Sequence, residues 1–277
     1  MDKQVHLRDA AKLVNDRDTI ALGGNVLHRS PLAFIRELIR QNKSKLHIVK
    51  TAGAHDVDLL CAVGAVDTVS AGFISYETKY GLATHYRNAV QAGKVKANEH
   101  ACYTVISALR GAQMNVPFMP VHGLKYGDLL SMNAYFVVVE DPFGGEPVTL
   151  VKSIVPDVAV IHVQACDRAG NAWIEGPKFE DVLMSRAAKK VILTTEQIVP
   201  ENRTKQKREQ IDIPGFLVDA IVEVPKGASP GGCYPKYDID EASLKHFITL
   251  TDETAIIDYI ASFEKIDYRS KGERAAW

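Results

Sequence analysis

Apolar positions along the chain switch repeatedly between helical and strand spacing. In residues 7–14, LRDAAKLV, the residues Leu7, Ala10, Ala11 and Val14 fall at i, i+3, i+4 and i+7, one buried helical face. TIALGG, residues 19–24, is too brief for a helix and is stopped by glycines, so it predicts a short buried strand. Ser30 then predicts an N-cap, with Pro31 at the first helical position, where a missing N–H costs nothing, and Leu32, Ile35, Leu38 and Ile39 form an inward face.

The alternation continues. LHIVKTAG (46–53) predicts a strand ending in Gly53, DVDLLCAVG a helix, and VDTVSAGF (66–73) another strand. Residues 79–93 and 101–113 predict amphipathic helices, the first closed by Gly93. Strands alternating with helices imply a mostly parallel sheet. Beyond VPFMPVHG the texture changes: two β-branched runs around a Pro/Gly turn in 135–151 predict a hairpin, and 158–176 predicts a second with Asp167 to Asn171 as its turn. A helix near 178–188, strands in KKVILTTEQIV and DAIVEVP, and helical periodicity over 241–263 complete an α/β chain with hairpin excursions. No repeat or linker interrupts it, so residues 1–277 are expected to form a single domain.

Composition narrows the function classes. Thirty-three Lys+Arg balance 34 Asp+Glu, a formal charge of −1, and hydrophobic residues make up 46%, which describes an ordinary soluble protein. The densest basic run, NRTKQKREQ at 202–210, includes an acid and no aromatics, so it reads as a solvated segment and nucleic acid is not expected as a partner. No apolar run of membrane-spanning length occurs and the N-terminus has no signal-peptide core, so no membrane partner and a cytoplasmic location are expected. Cys61, Cys102, Cys166 and Cys233 are scattered without metal-ligand spacing, which predicts free thiols in a reducing compartment and no metal site.

Three glycine-rich strand ends stand out. Gly23, Gly24 and Asn25 precede a helix start; Gly53 ends the next strand; Ser75, Tyr76 and Glu77 follow the third. Parallel strands bring these ends to one sheet edge, where open α/β sheets bind ligands. The first turn either presents N–H groups to an anion or is a tight turn only. Neither nucleotide-binding glycine fingerprint is present, and the histidines form no triad or metal motif. Glu77 is either a base or nucleophile or a plain surface charge.

GGNVLHRSPLAFIREL, LLCAVGAVDTVSAGFISYE, HYRNAVQAGKV, VPFMPVHG and DVAVIHVQACDRAGNAWIEG, in this order and spacing, resemble the alpha subunit of the class I CoA-transferases, closest to the glutaconate CoA-transferase branch, over about residues 5–230. The resemblance implies a Rossmann-like subunit that pairs with a homologous beta subunit, usually as α2β2, around a shared site. Coenzyme A would be a substrate, with no further cofactor. A glutamate of the beta subunit, in a Glu-Asn-Gly-like motif, would carry a covalent glutamyl-CoA; that motif is absent from these 277 residues, and neither Glu77 nor Glu99 matches it, so no catalytic residue is expected here. This chain would frame the substrate site with Gly23, Gly24, Asn25, His28, Arg29, Gly53, Ser75, Tyr76 and Glu77. Arg29 would either clamp a free carboxylate of a short or dicarboxylic acyl group or be a surface arginine near a helix start. Two alternatives share the resemblance: a subunit of the CoA-thioester hydrolase that opens the last ring of degraded steroids, and a non-catalytic acyl-CoA-binding module. The hydrolase is weakened because Cys102 stands where it would carry a glutamate.

Overall fold

The computed structural model describes residues 2–124, 128–206 and 208–263; Lys207 of the basic run lies outside them. Thirteen strands are present among these residues: β1 Thr19–Leu22, β2 Leu46–Gly53, β3 Val66–Ile74, β4 Lys96–Glu99, β5 Phe118–Val121, β6 Phe136–Val139, β7 Val148–Lys152, β8 Val158–Val163, β9 Ala165–Asp167, β10 Ala172–Trp173, β11 Lys190–Thr195, β12 Ile198–Val199 and β13 Ala220–Glu223. Seven of them pair in the order β13-β11-β8-β1-β2-β3-β4, every pairing parallel. Period-two alternation feeds both faces: in β8, Val158 and Val160 point into one apolar cluster while Ala159, Ile161 and Val163 point into the other. That is why the strand reads as a continuous apolar run.

Helices α1 (Leu7–Ala11), α2 (Leu32–Arg40) and α3 (His55–Ala62) supply residues to the first cluster. Short α4 (Glu77–Tyr80) and α5 (Thr84–Gln91) follow β3, and α6 (Cys102–Gln113) packs on the second face, against β2 and β3. α7 (Leu129–Met132) precedes β6; α8 (Asp181–Ala187) packs on α6. α9 (Glu201–Gln206), α10 (Glu241–Thr249) and α11 (Glu253–Ser262) complete the set, the last two packing Phe247, Ile256, Tyr259 and Ile260 into the first cluster.

Four expectations need adjustment. Ser30 does not cap α2: Pro31 takes that position, and the Ser30 hydroxyl instead donates to Asp56 Oδ2 at 3.0 Å. The helix expected over 79–93 is two helices, broken at Gly81, whose φ of 85° no right-handed helix accommodates. The expected hairpin over 158–176 shrinks to β9 and β10 around Asp167–Asn171, because β8 belongs to the parallel sheet. The hairpin in 135–151 gains a third strand, β5, so β5-β7-β6 forms a separate antiparallel sheet.

Candidate functional site

β1 sits between β2 and β8, and the chain leaves it toward β2, so the crevice beside β8 is the point where strand order reverses. The glycine turn lies there. Its N–H groups are all spent within the protein: Gly23 donates to the Val160 carbonyl at 2.8 Å, Gly24 to Asp181 Oδ1 at 2.7 Å, Asn25 to the His28 carbonyl at 2.9 Å and Val26 to the Ala52 carbonyl at 2.9 Å. The turn therefore presents no open cradle for an anion. What it makes room for is its own return. A Cβ on Gly24, at φ 72°, would sit 2.4 Å from the His28 carbonyl oxygen, and one on Gly23 would sit 2.8 Å from Asp181 Oδ1.

Two buried ion pairs hold this turn from either side. Arg29 is fully buried; its Nη1 meets Asp181 Oδ2 at 2.5 Å and the His162 carbonyl at 3.0 Å, while Nη2 donates to the Pro177 carbonyl at 2.7 Å. Arg29 is thus neither of the two things expected of it, a clamp open to substrate or an idle surface group. On the other side Lys50 Nζ meets Asp56 Oδ2 at 2.8 Å and donates to the Gly23 carbonyl at 2.5 Å, with both side chains out of solvent. Burial alone would push the Asp56 carboxyl up; the Lys50 charge and backbone N–H donors from Ala54 and Val57 outweigh it and hold it below the usual carboxylate range.

Around the end of β2 a different set of groups comes together. Thr51 donates its hydroxyl to Glu180 Oε2 at 2.6 Å, and the Cys102 thiol, on the first turn of α6, donates to the Thr51 carbonyl at 3.3 Å. Burial and then the Glu180 charge raise the Cys102 thiol above its ordinary value, so it stays protonated and is a donor rather than a thiolate nucleophile. The Phe179 ring stands edge-on to the His28 ring, centroids 6.0 Å apart, and 5.5 Å from the Arg29 guanidinium. Burial, followed by the Arg29 charge, keeps His28 below the ordinary imidazole value, and its Nε2 is buried without a partner among the described residues. Val26, Arg29, Glu77 and Phe179 all adopt positive φ, between 46° and 60°. Strained backbone of this kind persists where the surroundings over-determine it, commonly at binding sites.

The end of β3 is separate in character. Ser75 donates its hydroxyl to the Gly81 carbonyl at 2.9 Å and, with Phe73, Glu77, Thr78 and Lys79, lines an open cleft of about 710 Å³. Glu77 is exposed there. Tyr76 turns inward: it is 1% exposed and donates to Asp58 Oδ2 at 3.0 Å, with His55 Nδ1 at 3.2 Å. Gly53 is packed between Ile74 and Val57. So Ser75 and Glu77 share a cleft, Asn25 and His28 close the β1 turn, and Gly53, Arg29 and Tyr76 are internal. Thr51, Phe179, Glu180 and Asp181 escaped sequence reasoning. The only local signal, two acids at a helix start, reads as charge on a helix dipole.

One donor group among the described residues has the composition to hold an ion: His162, Glu196 and Cys233, whose ligand atoms lie within 4.8 Å of one another. His162 and Glu196 are tied to each other and into a hydrogen-bond network. Glu196 Oε1 accepts from Tyr237 at 2.7 Å and meets His162 Nε2 at 2.8 Å, Oε2 accepts from the Lys226 N–H at 2.8 Å, and His162 Nδ1 meets Thr194 Oγ1 at 2.9 Å. The network ties β8 and β11 to the loop that follows β13. The four cysteines are free, three buried and Cys102 exposed. No helix among the described residues is long and apolar enough to cross a membrane.

Comparison with known proteins agrees with this architecture. The family model described as coenzyme A transferase matches residues 5–224. An uncharacterized protein of Archaeoglobus fulgidus is 34% identical over 270 residues, covering 96% of this chain; the chain spans 60% of that protein's length. A glutaconate CoA-transferase subunit of Acidaminococcus fermentans is 32% identical over 262 residues, covering 88% of this chain and 82% of its own length. The crystal structure of glutaconate coenzyme A-transferase from the same organism superposes with a TM-score of 0.89 at 29% identity, over 94% of this chain and 88% of that one. That of the decarboxylase AibA/AibB, in a cysteine-to-serine variant, superposes with a TM-score of 0.86 at 30% identity, over 96% and 100%. The matched span and the seven-stranded parallel sheet together place this chain in the coenzyme A transferase family.

Proposed function

We propose that the chain is the alpha-type subunit of a two-chain CoA-transferase that moves CoA between an acyl-CoA and a carboxylic acid. The observation that carries this reading is the likeness to glutaconate coenzyme A-transferase along 94% of the chain. In this reading a beta-type partner closes the mouth over Thr51, Cys102 and Glu180 and brings the attacking glutamate, in an α2β2 assembly. That carboxylate adds to the thioester carbonyl and expels CoA thiolate, giving an acyl–glutamyl anhydride. The thiolate then attacks the glutamyl carbonyl, the acid leaves, and a glutamyl-CoA thioester remains for the next carboxylate to reverse the sequence. Covalent storage keeps the thioester from water.

This chain contributes shape and order. The ion pairs Arg29–Asp181 and Lys50–Asp56 fix the glycine turn before substrate arrives, so no ordering cost falls on binding. The protonated Cys102 thiol adds no competing nucleophile.

The test is acyl exchange. The chain co-purified with the beta-type protein encoded beside it should transfer CoA from an acyl-CoA to a labelled carboxylic acid, and neither chain should do so alone. Release of CoA to water with no exchange, by the complex or by this chain alone, contradicts the proposal and returns the ring-opening hydrolase reading. Binding of acyl-CoA by the solitary chain, with no turnover in any mixture, would instead favour a binding module.

A further inference from the structure

β8, the end of β11 and the loop after β13 bring three donors of different chemistry together. His162, Glu196 and Cys233 place a ring nitrogen, a carboxylate oxygen and a sulfur within 4.8 Å of one another, and His162 and Cys233 are fully buried. The first two are aimed by groups behind them. The Thr194 hydroxyl engages His162 Nδ1 at 2.9 Å, which turns Nε2 toward Glu196 at 2.8 Å. Tyr237 and the Lys226 N–H both donate to the Glu196 carboxylate, at 2.7 and 2.8 Å. Imidazoles and carboxylates that ligate metals are held by outer hydrogen bonds of this kind.

We infer that His162, Glu196 and Cys233 bind a zinc ion, through His162 Nε2, a Glu196 carboxylate oxygen and the Cys233 thiolate, with water in the fourth position. Mixed nitrogen, oxygen and sulfur donors suit zinc, whereas calcium and magnesium take oxygen ligands. The charges match: a dication meets a carboxylate and a thiolate, so no net charge is left buried. A proton leaves from the Cys233 thiol, and the His162 proton moves from Nε2 to Nδ1, where the Thr194 hydroxyl accepts it. The contact between His162 and Glu196 gives way to the ion, and a shift of about 1 Å brings the sulfur into bonding range. The role is structural. The loop that carries Cys233 also takes the Arg29 N–H on its Gly232 carbonyl and gives the Gly232 N–H to the Leu27 carbonyl, both at 2.8 Å, so the ion clamps the loop that braces the glycine turn. Spacing along the sequence could not show this site, because its three donors come from separate elements. The ion is expected whether or not the chain transfers CoA.

The test strips the full chain with a chelator and titrates it with cobalt(II), which accepts the same ligands as zinc and reports a bound thiolate by a charge-transfer band in the near ultraviolet. The unmodified chain should develop that band, and zinc should abolish it. Cys233→Ser should remove the band, whereas Cys102→Ser, at the exposed thiol, should keep it. Thr194→Val removes only the hydroxyl behind His162 and should weaken cobalt binding about tenfold to a hundredfold with the band intact; it decides the matter if Cys233→Ser does not fold. No band in the unmodified chain, a band that zinc does not displace, one that survives Cys233→Ser or is lost in Cys102→Ser, or an affinity untouched by Thr194→Val overturns the inference.

Discussion

Arg29 and Asp181, like Lys50 and Asp56, form an ion pair almost wholly out of solvent. A guanidinium and a carboxylate that are both out of solvent repay their desolvation only through each other and through the His162, Pro177 and Gly24 hydrogen bonds. Asp181→Asn should therefore destabilise the protein by about 3–5 kcal/mol in denaturant unfolding, because it strands a buried positive charge. Replacing both partners with apolar residues of similar volume should recover most of that loss; a double variant no better than Asp181→Asn alone would mean that the turn, not the charge, sets the cost. Gly24→Ala meets two penalties at once, a positive φ and a carbonyl oxygen 2.4 Å from the new Cβ, and should cost more than about 1 kcal/mol in the same assay. From sequence, the two glycines were legible as a special turn, but not what they accommodate. Asp181 lies 152 residues from Arg29, and no local pattern announces a contact at that separation.

At the scale of elements, the parallel strands were the most legible part, because burial on both faces writes a short apolar run into each. β2 matches its expected span from Leu46 to Gly53, and α6 its expected 101–113 to within a residue. β4, by contrast, is the polar segment KANE at the sheet edge; an edge strand needs no apolar alternation, so periodicity could not find it. The buried histidines govern part of the response to acid. Burial holds His55, in α3, at about 3 and His100, just before α6, at about 4, and it lowers His47 in β2 as well. A histidine whose folded value lies below its unfolded value of about 6.5 takes up a proton on unfolding. Its contribution is therefore complete above about pH 6.5 and is lost as pH falls toward the folded value. Urea unfolding should show stability falling between about pH 7.5 and 5, before most carboxylates titrate, and His100→Gln should remove about 1–2 kcal/mol of that fall. An unchanged slope in the variant would mean that His100 already carries a proton in the fold.

At the scale of the whole molecule, the proposed function makes the chain one wall of a reaction vessel. Its strand ends are stiffened by internal ion pairs and strained turns, and burial with the Glu180 charge beside it raises the Cys102 thiol above its ordinary value. Sequence resemblance anticipated the fold and the family, and the residues left the glycine turn open between an anion cradle and a tight turn; the contacts to Val160 and Asp181 that take up its N–H groups cross the sheet, and no local pattern announces them. The most direct test of this division of labour is to incubate the two-chain complex with acyl-CoA, trap the thioester with borohydride or hydroxylamine, and locate the modified glutamate by peptide mass spectrometry. The modification should fall on the beta-type partner and on no residue of this chain. A trapped glutamate within these 277 residues, at Glu180 or elsewhere, would contradict the account.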